Sequence, residues 1–162
     1  MILLVSIGIP PKNMAINRLN VRVYGLLLRH PGLILVSDEY RFGKFMTKFP
    51  GGGLIPGEGP EECLIREWQE ELGLEITIQS LVFTPGKLIQ SAFAESDQVL
   101  PLYYMISVIG LTRIRVSERE FDFPVLVDGA QTFRWAELSA LTPTFPGDRE
   151  AVNFLRNQMQ FH

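Results

Sequence analysis

The sequence predicts an α/β domain in which a mixed sheet packs between helices. Three observations carry this: β-branched and apolar runs recur before and after a central amphipathic helix, a second amphipathic helix closes the chain, and no repeat, linker or low-complexity stretch breaks that order. With 162 residues, 46% of them hydrophobic and 20% charged, the chain falls in the range of one ordinary globular domain. A single domain over residues 1–162 is therefore expected.

Taking the elements in order, the apolar run MILLVSIGI has no basic leader and is about half the length needed to span a bilayer. Residues 1–18 are expected to form an extra strand or an N-terminal extension. LNVRVYGLLL, residues 19–28, reads as a strand, and LILVS as a second that forms a hairpin with it around Pro31 and Gly32. RFGKFMTKF carries a short third strand into a Gly- and Pro-rich loop, where GGG is expected to make a tight turn.

A helix of about thirteen residues should follow. Pro60 suits its first position, Glu61 and Glu62 put negative charge at the positive end of its dipole, and Gly73 stops it. Leu64, Ile65, Trp68 and Leu72 share one face as the stripe to be buried. Further strands are expected around 75–83, 99–109 and 131–135, with Pro101 marking an edge or a bulge in the second of these. A closing helix over 147–158 places Val152 and Leu155 inward and takes Asp148 as its N-cap.

Composition narrows the function. A net charge of −3 with no block of Lys and Arg argues against a nucleic-acid or membrane partner and favours a small molecule. The lone Cys63 can form neither an internal disulfide nor a zinc cluster, which suits a core position and the reducing cytoplasm. His30 and His162 lack the neighbours of a nucleophile–base pair, and GGG is not followed by the Lys and Ser/Thr of a P-loop.

What stands out is a cost. Glu67, Glu70 and Glu71 lie at i, i+3 and i+4 on the predicted helix, where each like-charge pair destabilises by roughly 0.2–0.5 kcal/mol. A hard divalent cation such as Mg²⁺ or Mn²⁺ reverses that sign, because it binds carboxylate oxygens together with substrate phosphates. A solvated acidic face is the plain alternative, and the flanking residues decide between them.

From Gly52 the sequence reads GGLIPGEGPEECLIREWQEELGL. It resembles the Nudix box, G-x5-E-x7-R-E-U-x-E-E-x-G-U with U bulky and apolar, at every defined position: Gly52, Glu58, Arg66, Glu67, Trp68, Glu70, Glu71, Gly73 and Leu74. Chance agreement in a chain of this length is on the order of one in a million. The resemblance implies the Nudix α/β/α sandwich and hydrolysis of a pyrophosphate bond in a nucleoside diphosphate linked to another group, by water attacking phosphorus with Mg²⁺ or Mn²⁺.

It further implies that Glu67, Glu70 and Glu71 face the metal, with the carbonyl of Gly51 as a further ligand, while Glu58 and Arg66 brace the loop against the helix. Glu67 is the first choice for the general base; Glu118 and Glu120, then Glu95 and Asp97, are the choices outside the box. Arg22, Arg41 and Lys48 are the candidates for substrate phosphates.

Substrate subclass is not resolved. Pro85 falls too early for the proline associated with ADP-ribose hydrolases, and residues 89–91 supply no tyrosine of the dinucleoside polyphosphate type. Tyr24, Phe45 and Phe93 stack a base or fill the core. A Nudix-type sensor that binds without hydrolysing, a diphosphate isomerase and a homodimer stay open.

Overall fold

The computed structural model describes residues 15–159. The extra strand expected before residue 15, and His162, lie outside that range. The elements are β1 (Arg18–Leu26), β2 (Leu28–Arg29), β3 (Leu33–Arg41), β4 (Lys44–Lys48), β5 (Gly51–Gly53), α1 (Pro60–Leu72), β6 (Ile76–Phe83), β7 (Ile89–Gln90), β8 (Asp97–Val108), a 3-10 turn at Leu111–Arg113, β9 (Ala130–Glu137) and α2 (Pro146–Met159).

One sheet runs β5-β1-β8-β6, with β7 also on β8. It is mixed, since β1 and β8 are parallel over Arg18–Leu26 and Asp97–Met105 while the other pairs are antiparallel. The second sheet is antiparallel, with β3 pairing β2, β4 and β9. The expected strand over 19–28 is therefore two: β1 joins the first sheet and β2 the second, with the hairpin closed around Pro31 and Gly32.

The apolar stretches Val23–Leu26 of β1 and Leu33–Val36 of β3 are buried at successive positions, hence on both faces. Tyr24, Leu26, Ile34, Val36 and Tyr103 enter one core with Ala151, Val152 and Leu155 of α2. The residues of opposite parity, Val23, Leu27, Leu35, Tyr104 and Ile106, enter the other with Cys63, Leu64 and Trp68 of α1. The period-2 alternation of the strands thus puts one helix on each side, the expected α/β/α layering. Gly25 lets the Trp68 ring of α1 lie close on β1: a Cβ there would stand 2.7 Å from Trp68 Nε1.

Three local expectations are corrected and a fourth is narrowed. Ile65 is 46% exposed, because the buried face of α1 is centred on Cys63, Leu64 and Trp68. GGG is not a turn but strand β5, antiparallel to Arg22–Tyr24.

Pro101 lies in the interior strand β8 and not at an edge, but the bulge alternative has support: the β6–β8 register shifts between Leu81 and Phe83, opposite Tyr104 and Tyr103. Pro101 falls between that shift and the last β7 pair at Val99, where Thr84 Oγ1 donates to its carbonyl at 3.0 Å. Asp148 does not cap α2, which begins at Pro146; it sits buried within the first turn. Among the described residues no helix is long and apolar enough to cross a membrane.

Candidate active site

The motif occupies β5, the following loop and α1. Glu62 Oε2 accepts the amide N–H of Gly59 at 2.7 Å, Pro60 opens the helix, and Gly73 closes it with a left-handed φ of 65°. These caps fix the rotation of α1, and with it the direction of its glutamates.

Arg66 is the centre of the motif's polar contacts. Its Nε and Nη2 donate to Glu58 Oε2 at 2.9 Å and Oε1 at 2.6 Å, Nη1 donates to Glu67 Oε1 at 2.9 Å and Glu70 Oε2 at 3.3 Å, and Nη2 also reaches the Gly53 carbonyl at 3.2 Å. Glu58 in turn accepts the Ile55 amide at 3.0 Å. One guanidinium thereby ties strand β5, the loop and the helix together, and its hydrogen bonds hold the Glu58 carboxyl down to about 2.

Buried Cys63 stands behind this pair; burial pushes its thiol up to about 12, which suits core packing rather than nucleophilic chemistry. The Glu67 carboxyl lies against the backbone of β5, so close that a Cβ on Gly52 would overlap it. At Gly51, φ is 147° and a Cβ would run into the Val23 carbonyl. Both glycines are required by close approach, not by loop flexibility.

Glu71 differs from Glu67 and Glu70. It is half-buried, its Oε2 is buried with no hydrogen-bond partner, and burial pushes its carboxyl upward despite opposing effects of Lys48 and Gln131. Lys48 is itself buried, and its Nζ contacts Glu39 Oε1 at 2.9 Å and donates to the Gly51 carbonyl at 3.2 Å. Burial works against its charge, but Glu39, Tyr24 and Glu71 outweigh that and hold the ammonium above its usual value.

The sequence reading missed two contributors, Glu39 and Gln131. Glu39 is buried in β3 and accepts Gln131 Nε2 at 3.1 Å and Ser37 Oγ at 3.2 Å. The available signal was the acidic pair Asp38-Glu39 inside an otherwise strand-like run, since buried carboxylates need partners.

A cleft of about 850 Å³ opens beside the motif, lined by Arg22, Lys48, Glu39, Gly53 and Glu58 at one part and by Phe42, Phe93 and Phe145 at another. Arg22, Arg41 and Lys48 all line it. Arg22 Nε donates to Tyr24 Oη at 2.8 Å, and Arg41 is exposed beside Phe42. Glu67, Glu70 and Glu71 do not line this cleft but adjoin its Glu58–Gly53–Lys48 wall.

At its floor Tyr103 Oη donates to buried Asp148 at 2.6 Å, while the other oxygen of Asp148 has no partner; burial raises that carboxyl to about 6.

The base candidates outside the motif separate. Asp97 lines the cleft and accepts Asn20 Nδ2 at 2.9 Å. Glu120 pairs with Arg134 at 3.0 Å, and neither it nor the exposed Glu118 nor Glu95 lines the cleft.

Oxygen donors of this kind suit Mg²⁺ or Mn²⁺ and not zinc. Among the described residues no three acidic, histidine or cysteine side chains stand together as a ready cage. The Glu71 Oε2, buried without a hydrogen-bond partner one turn along α1 from Glu67, is an acceptor that a hard cation would satisfy.

The NUDIX domain family matches residues 17–156, and the chain belongs to that family. It is similar to the RNA pyrophosphohydrolase of Pseudomonas fluorescens (strain SBW25), 41% identical over 64 residues, which cover 35% of this chain and 40% of that protein. It is also similar to the 8-oxo-dGTP diphosphatase of Proteus vulgaris, 49% identical over 37 residues, covering 23% of this chain and 33% of that one. Each alignment spans two fifths or less of the relative's own length. The fold is shared with the solution structure of the E. coli ORF135 protein, at a TM-score of 0.67 and 18% identity over 90% of this chain and 94% of that one.

Proposed function

We propose that this protein is a divalent-cation-dependent pyrophosphohydrolase that cleaves a phosphoanhydride bond in a nucleoside diphosphate derivative by attack of water on phosphorus. The observation that carries the reading is the half-buried Glu71, whose Oε2 has no partner, one turn along from Glu67 on a helix locked to β5 by Arg66. An isolated carboxylate oxygen without a partner is costly, and a site for a cation is what makes that cost intelligible.

A cation held there would neutralise charge on the diphosphate and lower the pKa of the attacking water. Glu67, Glu70 and Glu71 would hold it, with the Gly51 carbonyl, which already accepts Lys48 Nζ, as a further oxygen ligand. Glu67, held against Gly52 and by Arg66, is in this reading the group that takes the proton of the attacking water. Lys48, Arg22 and Arg41 line the cleft, and in this reading they bind the substrate's phosphate oxygens. Arg66 and Glu58 act as positioning residues, since their contacts run to β5 and α1.

One observation favours a second reading, a sensor that binds without hydrolysing: Arg66 already engages Glu67 and Glu70. A phosphate-release screen separates the two. Nucleoside triphosphates including oxidised guanine forms, nucleotide sugars, ADP-ribose and RNA bearing a 5′-triphosphate, each with Mg²⁺ or Mn²⁺, form the panel. Turnover of at least one supports the hydrolase, whereas saturable binding without turnover across the panel supports the sensor.

A further inference from the structure

We propose that Phe42 and Phe93 form a nucleobase-stacking face at the mouth of the cleft, against which the nucleoside end of the substrate rests. The proposal builds on the phosphate end of the site described above.

Phe42 stands at the β3–β4 turn with a φ of 51°, a backbone region that bulky residues rarely adopt. Its amide donates to Asp128 Oδ1 at 2.6 Å, which holds the turn in that conformation. Phe121, with a φ of 54°, is the other such residue among those described, and its amide is likewise held, by Asp38 Oδ2 at 3.2 Å. The difference lies in the rings. Phe121 is half-buried and packs on Phe45 at 5.1 Å, so its conformation is accounted for by packing. Phe42 remains 66% exposed. The positive φ is what a two-residue hairpin asks of Phe42 and Gly43 (φ 72°), with Arg41 paired to Lys44. The turn does not ask for a large apolar ring in solvent, and exposed apolar surface beside a cleft marks a place where a ligand binds.

A second ring meets it from another loop. Phe93, 53% exposed, lies 5.6 Å from Phe42 at a tilt of 58°, and Phe145 stands behind it at 6.0 Å. The loop carrying Phe93 is preset by its own hydrogen bonds, Phe93 N to Ser91 Oγ at 3.2 Å, Ser91 N to the Asp97 carbonyl at 2.8 Å and Gln90 Nε2 to the Glu95 carbonyl at 2.7 Å. The tilted pair offers a face, not a slot.

The occupant follows from what else the cleft carries. Phe42 and Phe93 line the same 850 Å³ cleft as Lys48 and Arg22, and that volume exceeds what a diphosphate alone fills. A ligand anionic at one end and flat and aromatic at the other matches this division. Asn20, Gln90 and Asp97 also line this cleft and bring polar groups into it, although Asn20 Nδ2 donates to Asp97 Oδ2 and Gln90 Nε2 to the Glu95 carbonyl.

Calorimetric binding of ADP, GDP, CDP, UDP and inorganic pyrophosphate to the native chain, Phe42→Gly and Phe93→Ala tests this without turnover. Phe42→Gly removes the ring and relieves the positive φ, so it should melt no lower than the native protein while binding nucleoside diphosphates about tenfold or more weakly. Phe93→Ala should weaken them similarly. Both variants should bind inorganic pyrophosphate as the native chain does.

Equal losses for pyrophosphate and nucleotides, undiminished nucleotide affinity, or no nucleotide binding by the native chain would each overturn the proposal. So would a native dimer that either variant dissociates in sedimentation, since the rings would then serve self-association. Failure of hydrolysis in the substrate screen leaves this binding result intact, so the two readings fail separately.

Discussion

Gly52 and Glu67 share one space: the Glu67 carboxyl lies over the Cα of Gly52, where any β-carbon would stand. The carboxylate's position is therefore set by a strand as much as by its own helix. Gly52→Ala should displace Glu67 and cost roughly 1–3 kcal/mol by overpacking, with kcat reduced as strongly as in Glu67→Gln. Steady-state kinetics alongside thermal melts check this, and an Ala variant of native activity would contradict it.

Arg66 and Glu58 make a pH-dependent brace. Because the hydrogen bonds from Arg66 depress the Glu58 carboxyl to about 2 from an ordinary 4.5, their stabilisation is full above 4.5 and is lost as the pH falls toward 2. Arg66→Ala should lower the melting temperature at neutral pH and flatten the curve between those limits. A variant whose acid limb overlays that of the native protein would show that the pair stabilises nothing.

Asp148 has the opposite sign. Burial raises its carboxyl from 3.8 to about 6, so the folded state is favoured by its protonation and loses stability as the pH rises through that interval. The penalty at neutral pH is on the order of 3 kcal/mol. Asp148→Asn keeps an acceptor for Tyr103 Oη and carries no charge, and its melting temperature should exceed that of the native protein above about pH 6, with the gap closing toward pH 4. A gap that widens in acid would refute the assignment.

Much of the fold is local and was legible. Pro60 and Gly73 bound α1 as the sequence reading places them, and β6, β8, β9 and α2 lie within a few residues of their predicted spans. Of the motif residues, Glu58, Glu67 and Glu70 each meet Arg66. What the sequence concealed depends on pairing between distant segments. The division of 19–28 into β1 and β2 is set by which partner, β8 or β3, each half meets.

Glu39 acquires its role from Lys48 and from Gln131, 92 residues away. Asp148 looked like a cap because helix starts favour aspartate, yet its side chain turns inward to Tyr103 across 45 residues. GGG looked like a turn because glycine usually signals one, whereas here it clears room for Glu67 and for the Val23 carbonyl.

Cation dependence is read by a Mg²⁺ titration of hydrolysis, using the best substrate from the screen, for the native chain, Glu67→Gln and Glu71→Gln, with a chelated control. The native chain should be inactive in excess EDTA. Glu67→Gln should lower kcat by about 10²–10⁴ at saturating Mg²⁺, as loss of a positioned proton acceptor does. Glu71→Gln should raise the Mg²⁺ requirement by at least the roughly 10–100-fold typical of lesser changes around a metal, with partial recovery at high Mg²⁺. Hydrolysis by the native chain that persists undiminished under thorough chelation would contradict the central claim.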